Sequence, residues 1–178
     1  MSIDFSSAYK IDKNDKVFLD TNILTFLFSP DFVSSKEYQV DRYSKIFEKL
    51  IENNSGMYIN SLVISEFINR CLRIDFNKNF QDSSNTKDYK NDYRGSNEYQ
   101  KTLTTLLKEL NKMFNVFKIK QLDDGFSNFN TIAEFKNSME LDFNDLIIAR
   151  SVIDNGLKLL SDDGDFDNYD GINTKWYL

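Results

Sequence analysis

The sequence contains no histidine. That absence removes Ser-His-Asp and Cys-His catalysis, histidine-ligated zinc and imidazole acid–base chemistry together. Cysteine is nearly missing too: Cys71 stands alone. No internal disulfide can form, and a reducing, cytoplasmic setting is expected. No apolar run approaches the ~20 residues that span a bilayer, and residues 1–15 lack the basic-then-apolar order of a secretory signal. Hydrolytic chemistry in such a chain must rest on carboxylates, hydroxyls, lysines or a metal.

What is present suits one domain over residues 1–178, long enough for a real core. A hydrophobic share of 40% and an aromatic share of 15% rule out disorder by composition. The net charge of −6 argues against a general nucleic-acid coat. It leaves open an enzyme whose acidic site holds a divalent cation.

The stretch from Lys16 to Leu24 organises the rest. Val17, Phe18 and Leu19 run into Asp20, then Thr21 and Asn22, then a new apolar run from Ile23. A short apolar run bounded by polar residues reads as a buried strand, which sets Asp20 at its C-terminal end, where open parallel sheets bind ligands. Taken alone, Asp20 reads equally well as the cap of the helix that follows. Further on, the spacing predicts a helix over 35–52 stopped by Asn53-Asn54-Ser55-Gly56, and a strand over 57–60. A helix capped by Ser61 carries Val63, Phe67, Cys71 and Ile74 on one face. Residues 77–97 are polar and aperiodic, an excursion from the compact body. A helix over 98–113, a strand over 114–119, a helix over 127–139 and an apolar helix over 142–155 follow. Strands over 157–161 and 172–177 close the chain. Strands alternating with helices imply an α/β architecture with a mostly parallel central sheet.

In such a sheet, acids at strand ends and on the helices just after them share one edge. Asp20, Glu66, Asp142, Asp145, Asp163 and Asp165 all qualify. Crowded carboxylates repel one another unless a cation is present. Mg²⁺ or Mn²⁺, as one or two ions, resolves the crowding with oxygen ligands. Glu66 reads otherwise as half of an i, i+4 pair with Arg70. Asp142 reads as the N-cap of the helix that Asp145 opens, and Asp162 as a solvated turn residue.

Leu19-Asp20-Thr21-Asn22, Ser65-Glu66-Phe67, Asn144-Asp145-Leu146-Ile147-Ile148-Ala149 and Leu159-Leu160-Ser161-Asp162-Asp163-Gly164-Asp165-Phe166 come in the order and rough spacing of the PIN-domain nucleases. The chain most resembles the VapC-type ribonuclease toxins of type II toxin–antitoxin systems. The resemblance implies a three-layer α/β/α fold with about five strands, and Mg²⁺- or Mn²⁺-dependent endoribonuclease activity. It assigns metal ligation and catalysis to Asp20, Glu66, Asp145 and Asp163. Asp142 and Asp165 are additional or more distant ligands, and Thr21, Asn22 and Ser161 support the acids. The partners it implies are an RNA substrate, a cognate antitoxin protein and a second copy of the chain. The alternatives are a housekeeping RNA-processing nuclease of the same family, or a non-cleaving module that binds RNA or protein.

Two unrelated classes fit less well. A phosphoacceptor receiver needs an acidic pair near the end of strand one, and a metal phosphatase an Asp-x-Asp there; Asp20-Thr21-Asn22 supplies neither. Between Arg73 and Lys120 there are ten basic and six acidic residues, a local +4 in a chain of −6. The excursion thus reads as an RNA-gripping arm, with Lys87, Lys90 and Arg94 on phosphates and Tyr89 and Tyr93 stacking, or as a solvated loop.

Overall fold

The computed structural model describes residues 11–13, 15–30, 37–81, 87–124, 141–168 and 175–176. Strand β1 (Lys16–Leu19) leads into helix α1 (Thr21–Phe28), and α2 (Glu37–Glu52) into β2 (Gly56–Ile59). Helix α3 (Ser61–Asp75) runs on into a π turn, Phe76–Phe80, and a second π turn spans Tyr89–Tyr93. Helix α4 (Asn97–Asn111) then continues through a third π turn, Lys112–Val116, to β3 (Lys120–Gln121). Helix α5 (Phe143–Asp154), β4 (Lys158–Leu160), a 3₁₀ turn at Gly164–Asn168 and β5 (Lys175–Trp176) complete the described elements. The helix expected over 127–139 lies outside the described residues, as does residue 82–86 of the excursion.

The five strands pair in the order β3-β2-β1-β4-β5, every neighbour parallel. Helices cover both faces, giving three α/β/α layers. Val17, Phe18 and Leu19 are fully buried on either side of the pleat, which is why β1 reads as an unbroken apolar run rather than an alternating one. Successive connections from β1 leave toward β2 on one side, while β4 returns on the other. The C-terminal end of β1 is therefore the switch point of the sheet, the place where open parallel sheets bind ligands.

Register carries polar residues to that point. Leu19 pairs with Leu160, and the Asp20 N–H donates to the Leu160 carbonyl at 3.1 Å, so Asp20 and Ser161 lie side by side. Phe18 pairs with Tyr58, which brings Asn60 level with Asp20 on the other flank. Aromatic packing holds the helical layer together. Phe26 stacks on Tyr43 at 5.1 Å, and Phe28 and Phe117 each meet Phe47 edge-on and are tilted against one another.

Three boundaries differ from expectation. Asn60, not Ser61, caps α3: its Oδ1 accepts from the Val63 N–H at 3.0 Å, while Ser61 is engaged by Asp124. Both are good caps, and the fully buried Asn60 gains a second partner in Ser151. The strand expected over 114–119 is the end of the α4 helical run. Met113 lies seven residues after Leu106, so both turn to the core, where both are buried. Lys118 ends the run in the left-handed region (φ +57°), and the Ile119 N–H closes onto the Met113 carbonyl at 3.0 Å. The strand follows at Lys120.

The excursion is the third correction. Its described parts pack against the body: Tyr93 is fully buried among Phe76, Phe80, Tyr89 and Tyr99, and Tyr89 is buried against Phe76. Buried Asp75 accepts from Tyr93 Oη at 2.5 Å, Thr102 Oγ1 at 2.8 Å and Asn79 Nδ2 at 2.8 Å. Burial and the Asp75 charge together push the Tyr93 phenol well above its ordinary pKa, so it remains a donor. A polar stretch can fold inward because each of its few aromatics has neighbours of its own kind. Asp75→Ala leaves the Tyr93 and Thr102 hydroxyls buried without an acceptor, and a loss of about 2–4 kcal/mol is expected. Urea denaturation measures it, with Asp75→Asn losing less because one acceptor oxygen survives.

Candidate metal centre

Asp20 stands one residue past β1 and 6% exposed. Its Oδ1 accepts the Thr21 N–H at 2.6 Å and its Oδ2 the Ser161 hydroxyl at 2.5 Å. The carboxylate is therefore a helix cap and a held acid at once. Thr21 then donates its own hydroxyl to Glu66 Oε2 at 2.9 Å. That bond links the acid of β1 to the acid on α3. Glu66 is exposed on the second turn of α3, and its partner is this threonine.

The turn after β4 is tied to the same residues. Ser161 Oγ accepts the Asp163 N–H at 3.0 Å, and Asp163 Oδ1 accepts the Asp165 N–H at 3.0 Å. Asn22 reaches across, its Oδ1 accepting the Asp162 N–H at 3.2 Å and its Nδ2 approaching Ser161 Oγ at 3.4 Å. Asp142 caps α5 by accepting the Asp145 N–H at 2.9 Å, and is exposed. Asp145, half-buried, occupies the first turn, where the helix dipole favours an anion. Fully buried Phe166 plugs the turn into the core.

Electrostatics group these acids further. Burial raises the Asp20 pKa from 3.8 to about 6 against the lowering effect of the Ser161 and Thr21 hydrogen bonds, with Glu66 and Asp163 adding repulsion. Burial raises Asp145 to about 7, helped by the negative charges of Asp142, Asp20, Asp163 and Asp165. Every charge named in either shift is negative. Asp20 thus feels Glu66 and Asp163, and Asp145 feels Asp142, Asp20, Asp163 and Asp165.

The donor set fits a hard divalent cation: it consists of carboxylate oxygens, and no histidine exists in the chain to compete. Among the described residues, however, no three acidic or cysteine side chains already stand close enough to enclose a metal. Mutual repulsion favours such spreading.

Two sequence readings change here. Asp162 is no solvated turn residue: its carboxylate accepts from Gln39 Nε2 at 2.7 Å and from Tyr43 Oη, both on α2. No local pattern announces that pairing across 119 residues. Tyr89 and Tyr93, expected to stack on RNA bases, are buried and have no face to offer. Lys87, Lys90 and Arg94 lie on the arm. Asn60 was missed as a site-edge residue, although an Asn at a strand end before a helix was the available signal.

The PIN domain family profile matches residues 17–172. This chain belongs to the PIN domain family, a family of nucleases. Within it, the chain is similar to a crystal structure described as VapBC2 from Rickettsia felis bound to a DNA fragment from their promoter. The superposition has a TM-score of 0.54 at 15% identity and covers 91% of this chain and 98% of that one. No curated protein matches the sequence. Among the described residues no helix is long and apolar enough to cross a membrane.

Because the Asp20 and Asp145 values are raised above 3.8, the folded chain holds protons that the unfolded chain has released between about pH 4 and pH 7. Their contribution to stability is largest at the acid end of that window and is lost as pH rises through about 6 and about 7. Metal-free protein should melt roughly 3–6 °C lower at about pH 7.5 than at about pH 5. Asp20→Asn should flatten that trend, and Mn²⁺ should raise the melting temperature more at the higher pH, where protons no longer compete. Differential scanning calorimetry reads all three.

Proposed function

We propose that the protein is a metal-dependent endoribonuclease that hydrolyses RNA phosphodiester bonds, and that it is the toxin of a toxin–antitoxin pair. The observation that carries the reading is the hydrogen-bond chain that ties Asp20 through Thr21 to Glu66 and through Ser161 to the turn bearing Asp163. Family membership supplies the nuclease class. The likeness to a VapBC complex supports the toxin assignment and an antitoxin partner. A homodimer is proposed on the family resemblance alone.

Asp20, Glu66, Asp145 and Asp163 would hold Mg²⁺ or Mn²⁺, with Asp142 and Asp165 as additional or more distant ligands. When bound, the ion supplies a hydroxide nucleophile from water and positive charge against the developing phosphoryl oxyanion. The chain's own part is orientation. Ser161 and the Thr21 amide each donate to one oxygen of Asp20 and so fix the carboxylate's orientation. Thr21 aims Glu66 in the same way. Asn22 and Ser161 fix the turn that bears Asp163. With water rather than the 2′-hydroxyl attacking, the products carry a 5′-phosphate and a 3′-hydroxyl.

Asp20→Asn keeps the shape but removes the charge and turns one of the two acceptor oxygens into a donor. Cleavage of RNA should fall a hundredfold or more while the circular dichroism spectrum stays native. EDTA should stop the wild-type reaction, and Mn²⁺ restore it. Cleavage by pure protein that persists in EDTA would sink the metal mechanism.

A further inference from the structure

The buried tyrosines of the arm do something other than stack on bases. Arg73, on the last turn of α3, holds its guanidinium 3.9 Å from the centre of the Tyr89 ring, and Arg94 holds its own at 5.6 Å from the same point. Lys87 sits 4.3 Å from the Phe80 ring centre. Tyr89 is itself locked by Phe76 and Tyr93, so two exposed cations rest on an immobile aromatic floor.

The nearby acids do not neutralise these cations by pairing. Asp88 spends Oδ1 on the Lys90 and Asn91 amides, and Asp92 spends Oδ2 on the Asp88 amide. Asp75 is buried beneath, bonded to Tyr93, Thr102 and Asn79. Among the described residues neither Arg73 nor Arg94 forms an ion pair. Each keeps its guanidinium N–H donors, and cation–π contact leaves those in-plane donors unspent. A preordered guanidinium loses little rotamer entropy on meeting a phosphate. That is what distinguishes the pair from ordinary solvated charges.

Position relates the pair to the acidic crevice. Glu66 and Arg73 are seven residues apart on α3, nearly two turns, hence on the same face and about 10 Å apart along the axis. Arg70 lies between them, one turn from Glu66, and all three are exposed. A line of positive charge therefore begins one turn from the acids and ends on the Tyr89 platform.

We propose that this face, Arg70, Arg73 and the Tyr89-supported Arg94, is a track for the sugar–phosphate backbone of single-stranded RNA running beside the acidic crevice. The track rests on the nuclease reading for its substrate, and makes backbone contacts that position without reading sequence. A single strand is favoured over a duplex because one narrow row, Arg70 and Arg73 on α3 with Arg94 beside Arg73 on the Tyr89 ring, suits one chain of phosphates.

Fluorescence anisotropy in EDTA with a labelled 12-nucleotide RNA tests it without any cleavage. Arg73→Ala/Arg94→Ala should weaken binding by roughly an order of magnitude and reduce the slope of log K against log salt by about 1.4, two phosphates at ~0.7 each. Arg73→Lys/Arg94→Lys should restore the slope but only part of the affinity. Tyr89→Leu, which keeps both charges, should weaken binding less than the double alanine variant. In cleavage assays the alanine pair should raise KM with kcat nearly unchanged. Unchanged binding in a folded Arg73→Ala/Arg94→Ala variant, or tighter binding to a duplex of the same sequence, overturns the track. If wild type never cleaves yet binds RNA through these arginines, the track stands and the nuclease reading fails. If it cleaves while the arginines prove irrelevant to binding and KM, only the track fails.

Discussion

The burial of Asp20 is the constraint on which the arrangement around it depends. A carboxylate 6% exposed at the centre of a parallel sheet is costly when charged, and its pKa rises to about 6 as a result. Two hydrogen bonds from Thr21 and Ser161 offset part of that cost. They also dictate the neighbourhood. Thr21 must face Glu66 to use its hydroxyl, and Ser161 must bring the Asp163 turn with it to share its own. The other acids are thus drawn in through the groups that hold the first one. What remains is repulsion, expressed in the raised pKa of Asp145, and only a bound cation or protons can relieve it.

Much of this was legible because it is local in the chain. The apolar run into Asp20, the Asp142 cap before α5, and the acidic turn after β4 are each contained in fewer than ten residues. The parallel order follows from helices alternating with strands, and with it the shared edge. Asp20 read equally as cap and as site acid, and its geometry shows the cap: the carboxylate accepts the first amide of α1 while its other oxygen accepts from Ser161.

What escaped was non-local or a matter of sidedness. Asp162 looked like one more solvated acid in a crowded turn, yet its partners Gln39 and Tyr43 come from a helix more than a hundred residues earlier. The pairing has a consequence for the turn. Of three acids within four residues, Asp162 is turned toward α2, while Asp163 and Asp165 are bonded to each other and to Ser161 on the crevice side. Similarly, the polar excursion concealed that its aromatics face inward. Composition counts tyrosines but does not say which side of a turn they occupy. The misjudged strand at 114–119 has the same origin, since a short apolar run suits a buried helix end as well as a strand.

The arm and the crevice divide opposing electrostatic requirements that one surface cannot meet. A nuclease needs negative charge where it gathers a cation and positive charge where it gathers a polyanion. Mixed at one point, the two would pair with each other and cancel. Helix α3 separates them along one face, with Glu66 near its start and Arg73 in its last turn. The buried Asp75 network then fixes the aromatic floor on which Arg73 and Arg94 rest. Here the carboxylate itself serves structure: fully committed to Tyr93, Thr102 and Asn79, it lies beneath the arm rather than beside its guanidinium groups. A net charge of −6 is therefore compatible with RNA as substrate, because charge placement along α3, and not the total, governs what each end of the helix attracts.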